Sequence, residues 1–214
     1  MKKQKLTEVD ILIINFVAEQ DAVRLDTLVK YLQIKSKVVE IRNLRRTINK
    51  LESLGFVRKD ALLARSPYIV SSRPEAMRFA KLPSRKGAKP FYPQFSTIHH
   101  PVAVARVRLE YEQHSDAVWL CERRLRSEFG EYHLADGMVI YRNQRFLIEV
   151  DRTQKEKDRF KKIASINASL PNIDSVHYWT TTHLYPFVQN QIKQIEVNLT
   201  KKIQVYVLPE EVNI

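Results

Sequence analysis

The first seventy residues alternate between apolar segments with helical spacing and short polar breaks. Thr7 can cap a first helix, whose dense apolar positions continue to about Gln20. Asp26 or Thr27 can begin a second, shorter helix, and the polar residues 35–37 predict a turn into a third helix. Gly55 ends that helix, and β-prone residues follow it. The pattern predicts three helices and a hairpin: 7–20, from 26 to the turn at 35–37, 38–54 and 56–70.

The third predicted helix has two different faces. At 100° per residue, its apolar positions gather on one side and its basic and amide positions gather on the opposite side. We therefore expect one side to pack in the core and the other to face solvent. The predicted core side comprises Ile41, Leu44, Ile48 and Leu51, and the polar side comprises Arg42, Arg45, Arg46, Asn49 and Ser53.

Three helices followed by a small hairpin are the element order of a winged helix-turn-helix domain, and the run L-E-S-L-G-F-V at 51–57 resembles the end of its recognition helix. This resemblance implies that the third helix lies in the major groove of DNA and that the hairpin approaches the backbone. A basic face that meets only solvent, or a domain that contacts proteins, is the alternative. The candidate DNA-binding residues are Arg42, Arg45, Arg46 and Asn49 of the helix and Arg58 and Lys59 of the hairpin.

From residue 100 onward, short apolar runs alternate with helical patterns in the order α-β-β-β-α-β-α-β. Residues 71–94 contain four prolines, which is typical of a linker. We therefore expect a two-domain α/β (α+β) chain, with the winged helix-turn-helix at 1–82, a linker at 83–98 and an α/β domain at 99–214. In that second domain, helices are predicted near 100–111, 154–170 and 186–199, and strands near 117–121, 138–141, 146–150, 176–180 and 203–208.

Basic charge is concentrated in the first half of the chain. The 214 residues carry a formal charge of +12, yet residues 1–89 hold 20 Lys and Arg against 9 Asp and Glu, whereas residues 90–214 hold 16 against 15. This asymmetry favours nucleic-acid binding, since Lys and Arg displace counterions from phosphates. A merely solvated basic surface is the alternative.

Composition excludes several other classes of protein. The single Cys excludes a disulfide framework and a Cys-rich zinc site. A Gly-rich phosphate loop is missing from a chain with only four Gly, which argues against a doubly wound nucleotide enzyme. The sequence has neither a signal core nor an apolar stretch of membrane length, so we expect a soluble, cytoplasmic protein that does not bind membranes.

Candidate chemistry lies on a hairpin predicted from the β-prone runs at 138–141 and 146–150. If Asn143 and Gln144 form its turn, Asp136 faces Asp151, and Glu149 lies on the same face as both. Such buried carboxylates are costly unless a cation or positive side chains neutralise them, and Mg²⁺ or Mn²⁺ suits oxygen ligands. We therefore predict a metal site of Asp136, Glu149 and Asp151. A turn role for Asp136, and an ion pair or helix cap for Asp151, are the alternatives.

The element order and two short motifs resemble the PD-(D/E)XK nuclease superfamily. The motifs are H-L-A-D-G at 133–137 and E-V-D-R-T at 149–153. The resemblance implies metal-dependent DNA cleavage with Asp136 and Glu149 as catalytic residues. That superfamily places a lysine two residues after the second acid, where this chain has Asp151. The following helix can supply the lysine instead, and helical geometry favours Lys162, with Lys155 as the other candidate.

More narrowly, the whole chain resembles the replication-relaxation family of mobile elements and its mobilisation relatives. The likeness consists of the winged helix, a helix opened by His100, the run C-E-R-R-L-R at 121–126 and then D…E-x-D-x-T. It implies a DNA-binding protein of a plasmid or other mobile element that acts in replication, mobilisation or its control. The implied partners are double-stranded DNA and other replication or mobilisation proteins. The alternative is a non-catalytic regulator or assembly factor whose nuclease-like domain forms a homodimer or docks partner proteins.

Overall fold

The computed structural model describes residues 5–61, 68–83, 94–130 and 135–209. The chain forms two compact units that divide between Ala105 and Arg106. Each unit has its own β-sheet, so the described chain is mixed α/β, as predicted. The division falls inside α5 (Phe95–Glu112), which already includes the end of the predicted linker. Residues 84–93 of that linker lie outside the described residues.

The N-terminal unit surrounds one apolar core with helices and a small antiparallel sheet. Thr7 caps the first helix in a capping box: the backbone N–H of Asp10 donates to Thr7 Oγ1, and that of Thr7 donates to Asp10 Oδ2. Phe16 stacks on Tyr31, with ring centroids 4.0 Å apart. The elements are α1 (Glu8–Gln20), β1 (Ala22–Arg24), α2 (Leu25–Ile34), α3 (Ile41–Ser53), β2 (Val57–Asp60), β3 (Ile69–Ser72) and α4 (Pro74–Phe79). The strand order in the sheet is β1-β3-β2.

Helix α3 is shorter than predicted and anchors itself with three apolar residues. Leu44, Ile48 and Leu51 are buried, whereas Ile41 is 52% exposed. The prediction that Ile41 belongs to the core is therefore wrong, because α3 begins at this residue and its first turn extends beyond the core. The pattern of apolar residues does not predict β1, which pairs with β3. Residues 62–67 of the predicted hairpin lie outside the described residues.

The C-terminal unit contains a mixed five-stranded sheet in the order β4 (Val118–Cys121), β5 (Gly137–Tyr141), β6 (Gln144–Asp151), β7 (Ser175–Thr180) and β8 (Ile203–Val207). The first three strands pair antiparallel, and β7 and β8 continue the sheet in parallel. One short helix at Glu122–Phe129 adds to the predicted order, and the helix predicted at 186–199 is divided into two, Tyr185–Ile192 and Val197–Thr200. The added helix was missed because its sequence is mostly charged and it buries only Leu125. The elements after α5 are β4 (Val118–Cys121), α6 (Glu122–Phe129), β5 (Gly137–Tyr141), β6 (Gln144–Asp151), α7 (Lys157–Ser169), β7 (Ser175–Thr180), α8 (Tyr185–Ile192), α9 (Val197–Thr200) and β8 (Ile203–Val207).

The face of the sheet that carries the three predicted acids is also the main core face of this unit. Met138, Leu147 and Tyr178 of three adjacent strands are fully buried there, and Phe160 and Ala164 of α7 belong to the same cluster. A carboxylate on this face is therefore removed from water by helix packing.

The β5–β6 hairpin turns one residue earlier than predicted. Arg142 and Asn143 form the turn, with φ of 49° and 64°, as a two-residue turn of type I′ requires. Tyr141 therefore pairs with Gln144, and Met138 pairs with Leu147 rather than with Glu149. The predicted register is wrong by two residues, because Asn143 takes the second position of the turn rather than the first. A shift of two preserves the faces, so the acids still share one side.

The first residue of β5 is Gly137, a position that has no room for a side chain. A Cβ added at this position would lie 2.2 Å from the Trp119 indole, which packs directly on the Gly137 backbone from β4. Asp136 directly precedes this strand, and its backbone N–H donates to the Ile148 carbonyl.

We expect Gly137→Ala to destabilise the C-terminal unit by about 1–3 kcal/mol, because the new methyl overlaps the indole. Both tryptophans, Trp119 and Trp179, belong to this unit. Urea unfolding followed by tryptophan fluorescence therefore measures its free energy of unfolding. In a Trp119→Leu background, Gly137→Ala should lower the free energy of unfolding by much less. Equal costs in the two backgrounds would contradict the steric explanation.

Candidate functional site

Three carboxylates gather at the end of the β5–β6 hairpin. Asp136 directly precedes β5, whose first pair is Gly137 with Ile148 and so places Asp136 beside Glu149. Two hydrogen bonds fix it: the Asp136 N–H donates to the Ile148 carbonyl at 2.9 Å, and the Val150 N–H donates to Asp136 Oδ2 at 2.7 Å. Glu149 and Asp151 of β6 are only 2% and 5% exposed. The structure therefore brings the three predicted acids together.

A lysine reaches this cluster from the segment between β6 and α7. Lys155 Nζ forms an ion pair with Asp151 Oδ1 and lies 3.7 Å from Glu149 Oε2. Its side chain is only 22% exposed. Lys162, the lysine that helical geometry favours, is exposed on α7 instead. Lys155 can reach the acids because α7 begins only at Lys157, so helical spacing does not fix the direction of the Lys155 side chain.

Two further polar residues join the site, and sequence reasoning missed both. Asn167 of α7 donates from Nδ2 to Glu149 Oε1 at 3.0 Å. Tyr178, the neighbour of Glu149 on β7, is fully buried. Asn167 left a signal: it lies at a core position of the α7 pattern, seven residues after Phe160, where an amide needs a polar partner.

Burial and pairing both shift the pKa values of the charged groups in this cluster. Burial and the neighbouring charge of Asp136 raise the pKa of Glu149 well above its usual value, even with Lys155 close by. Burial disfavours the charge on Lys155, but the Glu149 and Asp151 carboxylates outweigh that effect and raise its pKa. Burial also raises the pKa of Tyr178. The cluster therefore holds one ammonium firmly and resists a full set of ionised carboxylates.

Carboxylate oxygens are the ligands that Mg²⁺ and Mn²⁺ prefer, so the chemistry of the donors fits the predicted cation. Their arrangement fits it less well, because Lys155 lies against two of the three acids. Among residues 5–61, 68–83, 94–130 and 135–209, no group of three His, Cys, Asp or Glu is arranged to hold a metal ion. The metal site of Asp136, Glu149 and Asp151 stays a prediction.

The candidate DNA-binding residues lie on and beside α3. Arg42, Arg45, Arg46 and Asn49 are all exposed, on the side away from the buried apolar residues. The two residues from β2 are engaged with their own unit: Arg58 Nε pairs with Asp60 Oδ2 at 2.9 Å, and Lys59 Nζ contacts Asn49 Oδ1 at 2.7 Å and Glu52 Oε2 at 3.1 Å.

A small cleft separates α3 from the strands. Its volume is about 160 Å³, and apolar side chains of Leu25, Ile48 and Val70 line it. Arg45 lies over the Tyr68 ring, 5.8 Å from its centroid, on the rim of this cleft. The exposed surface of α3 is therefore basic, with an aromatic ring beside it.

Comparison of the chain with models of protein families, with curated proteins and with solved structures finds no match. In the described part of the chain, none of the helices is both long enough and apolar enough to span a bilayer. Functional conclusions for this chain therefore depend on its own residues.

We expect Glu149→Gln to stabilise the C-terminal unit on the order of 1 kcal/mol at pH 8. A carboxyl whose pKa is raised by folding contributes stability below its unfolded pKa of 4.5 and loses it as pH rises through the folded pKa. Glutamine cannot ionise, and it can still accept from Asn167, while Asp151 still pairs with Lys155. The advantage of the variant should disappear as pH falls to about 4.

Urea unfolding at pH 8 and pH 4, followed by tryptophan fluorescence, measures this difference. Glu156→Gln is the matched control, since Glu156 is exposed and its substitution should change stability by less than about 0.5 kcal/mol. A Glu149→Gln variant that is less stable than the parent at pH 8 would show that the ionised carboxylate is favourable in the folded state.

Proposed function

We propose that this chain is a DNA-binding protein and that α3 binds duplex DNA through its exposed face. The observation that carries the proposal is the separation of the two sides of α3. Three apolar residues anchor the helix in the core, and four basic or amide side chains project into solvent on the opposite side. A rigid helix that presents several cations in one row matches the spacing of phosphates and base edges in a major groove.

The surrounding elements support the same interpretation. Two helices precede α3, and the β2 and β3 strands follow it, which is the order of a winged helix-turn-helix. Lys59 and Arg58 of β2 are partly paired with Glu52 and Asp60. They therefore have less charge to offer a phosphate than the arginines of α3, and we assign the main contact to the helix.

We expect the double variant Arg42→Ala/Arg46→Ala to bind duplex DNA about tenfold more weakly, because two phosphate or base contacts are lost. The slope of log affinity against log salt should fall by about two. Electrophoretic shift or fluorescence anisotropy over a series of salt concentrations measures both quantities. Lys193→Ala/Lys201→Ala, which removes the same charge from exposed residues of the C-terminal unit, should leave both nearly unchanged. Retained affinity and slope in the arginine variant would refute the role of α3.

A second function, metal-dependent cleavage or nicking of DNA, is favoured by the cluster at the β5–β6 hairpin. Asp136, Glu149 and Lys155 converge at one end of a mixed sheet, as in the superfamily that the sequence resembles. Asp136 and Glu149 would hold a Mg²⁺ or Mn²⁺ ion, which supplies polarisation of the phosphodiester and an activated hydroxide. Lys155 would break its ion pair with Asp151 and stabilise negative charge on the phosphate. Asn167 would keep the Glu149 carboxylate oriented through its hydrogen bond.

We expect Mn²⁺-dependent nicking of supercoiled plasmid that is lost in Asp136→Ala, Glu149→Ala and Lys155→Ala, because each removes a group from the cluster. Lys162→Ala is the matched control and should nick normally, since Lys162 is exposed on α7. Gel electrophoresis of the plasmid measures nicking, and duplex binding should be unchanged in all four variants. Nicking that survives in Asp136→Ala and Glu149→Ala would assign the activity elsewhere.

The non-catalytic alternative also has an observation in its favour. Lys155 already lies against two of the acids, as a lysine in a structural ion pair does. If the plasmid stays intact with Mg²⁺, Mn²⁺ and other divalent ions, the C-terminal unit serves to dimerise or to dock partners. In both cases, we propose from the resemblance to replication and mobilisation proteins that the chain acts in the replication, transfer or control of a mobile element.

A further inference from the structure

Two aliphatic side chains at the start of α3 project into water. Val38, three residues before the helix, is 99% exposed, and Ile41, its first residue, is 52% exposed. The remaining apolar residues of the helix, Leu44, Ile48 and Leu51, are buried. Neither exposed side chain contributes to the core, so the fold does not require an apolar residue at either position.

The surroundings of this pair are strongly basic. Residues 35–46 contain five Lys and Arg and only one acid, Glu40, which is itself exposed. Two of the five are held by their own unit: Lys37 Nζ pairs with Glu8 Oε2 at 2.9 Å, and Lys35 lies over the Tyr31 ring. The three arginines of α3 are exposed, and Arg45 lies one helical turn from Ile41 on the same side. The apolar pair is therefore set into a cationic surface.

A surface of this kind matches the major groove of DNA. Phosphates line the edges of the groove, and the only apolar group on its floor is the C5-methyl of thymine. Residues at the N-terminal end of a recognition helix are the ones that contact base edges. Two side chains offer too little apolar area for a stable protein interface, but each can cover a methyl group.

We propose that Val38 and Ile41 contact thymine methyl groups, so that the duplex preferred by this chain carries A·T pairs opposite the start of α3. The proposal rests on the proposed binding of duplex DNA by α3. It assigns sequence preference to the apolar pair, whereas the arginines supply affinity.

The test compares thymine with uracil, which lacks the methyl group. The full-length chain selects its preferred duplex from a random 20-base-pair library, and that duplex is synthesised twice, with thymine or with uracil. The parent should bind the uracil duplex about fourfold more weakly for each methyl contacted. The double variant Val38→Ala/Ile41→Ala should bind the two duplexes equally, with its affinity for the uracil duplex close to that of the parent.

The matched control is Val197→Ala, which trims a 70% exposed valine of α9 and should keep the preference for thymine. Circular dichroism and thermal melting check that the variants fold. Equal binding of the two duplexes by the parent, a selected sequence without thymine, or an unchanged preference in the double variant would each overturn the proposal. Absence of salt-dependent binding to both duplexes would overturn the proposed function as well, which separates the two failures.

Discussion

Burial of Glu149 is the constraint on which the C-terminal unit depends. Its carboxyl lies on the core face of a central strand, where an unsatisfied charge is costly. Asn167 and Lys155 therefore have to reach it, one from inside α7 and one from just before that helix. The position of α7 over the sheet is thus determined by polar contacts as well as by Phe160 and the other apolar residues beneath it. Replacing the acid with an amide would remove the charge that these contacts accommodate.

The two units use charge in opposite ways. The arginines of α3 remain in water, where a single pair is worth little but several together attract a polyanion. The charges around Glu149 are withdrawn from water, where each interaction is stronger and each unpaired group is more costly. Exposed charge suits reversible, salt-dependent binding, whereas buried charge suits a fixed geometry for reaction or for structure. A chain with both can separate binding from chemistry.

The sequence predicts the mixed α/β class and the convergence of the three acids, and the physical reason is periodicity. The hairpin prediction survives an error in its turn, because a register shift of two leaves every side chain on its face. Contacts that depend on where a helix begins are not predictable in this way. The pattern places Ile41 in the core and favours Lys162 over Lys155, because α3 and α7 begin three residues later than their patterns suggest.

Lys155 approaches the acids from a stretch without regular structure, on a side chain of four methylenes. The position of its nitrogen matters more than its place in the sequence, because the loop that carries the lysine can be lengthened or re-routed at small free-energy cost. A lysine of this kind can migrate along the polypeptide during evolution while its ammonium stays in place. Sequence motifs with fixed spacing between residues will consequently overlook proteins that share this geometry.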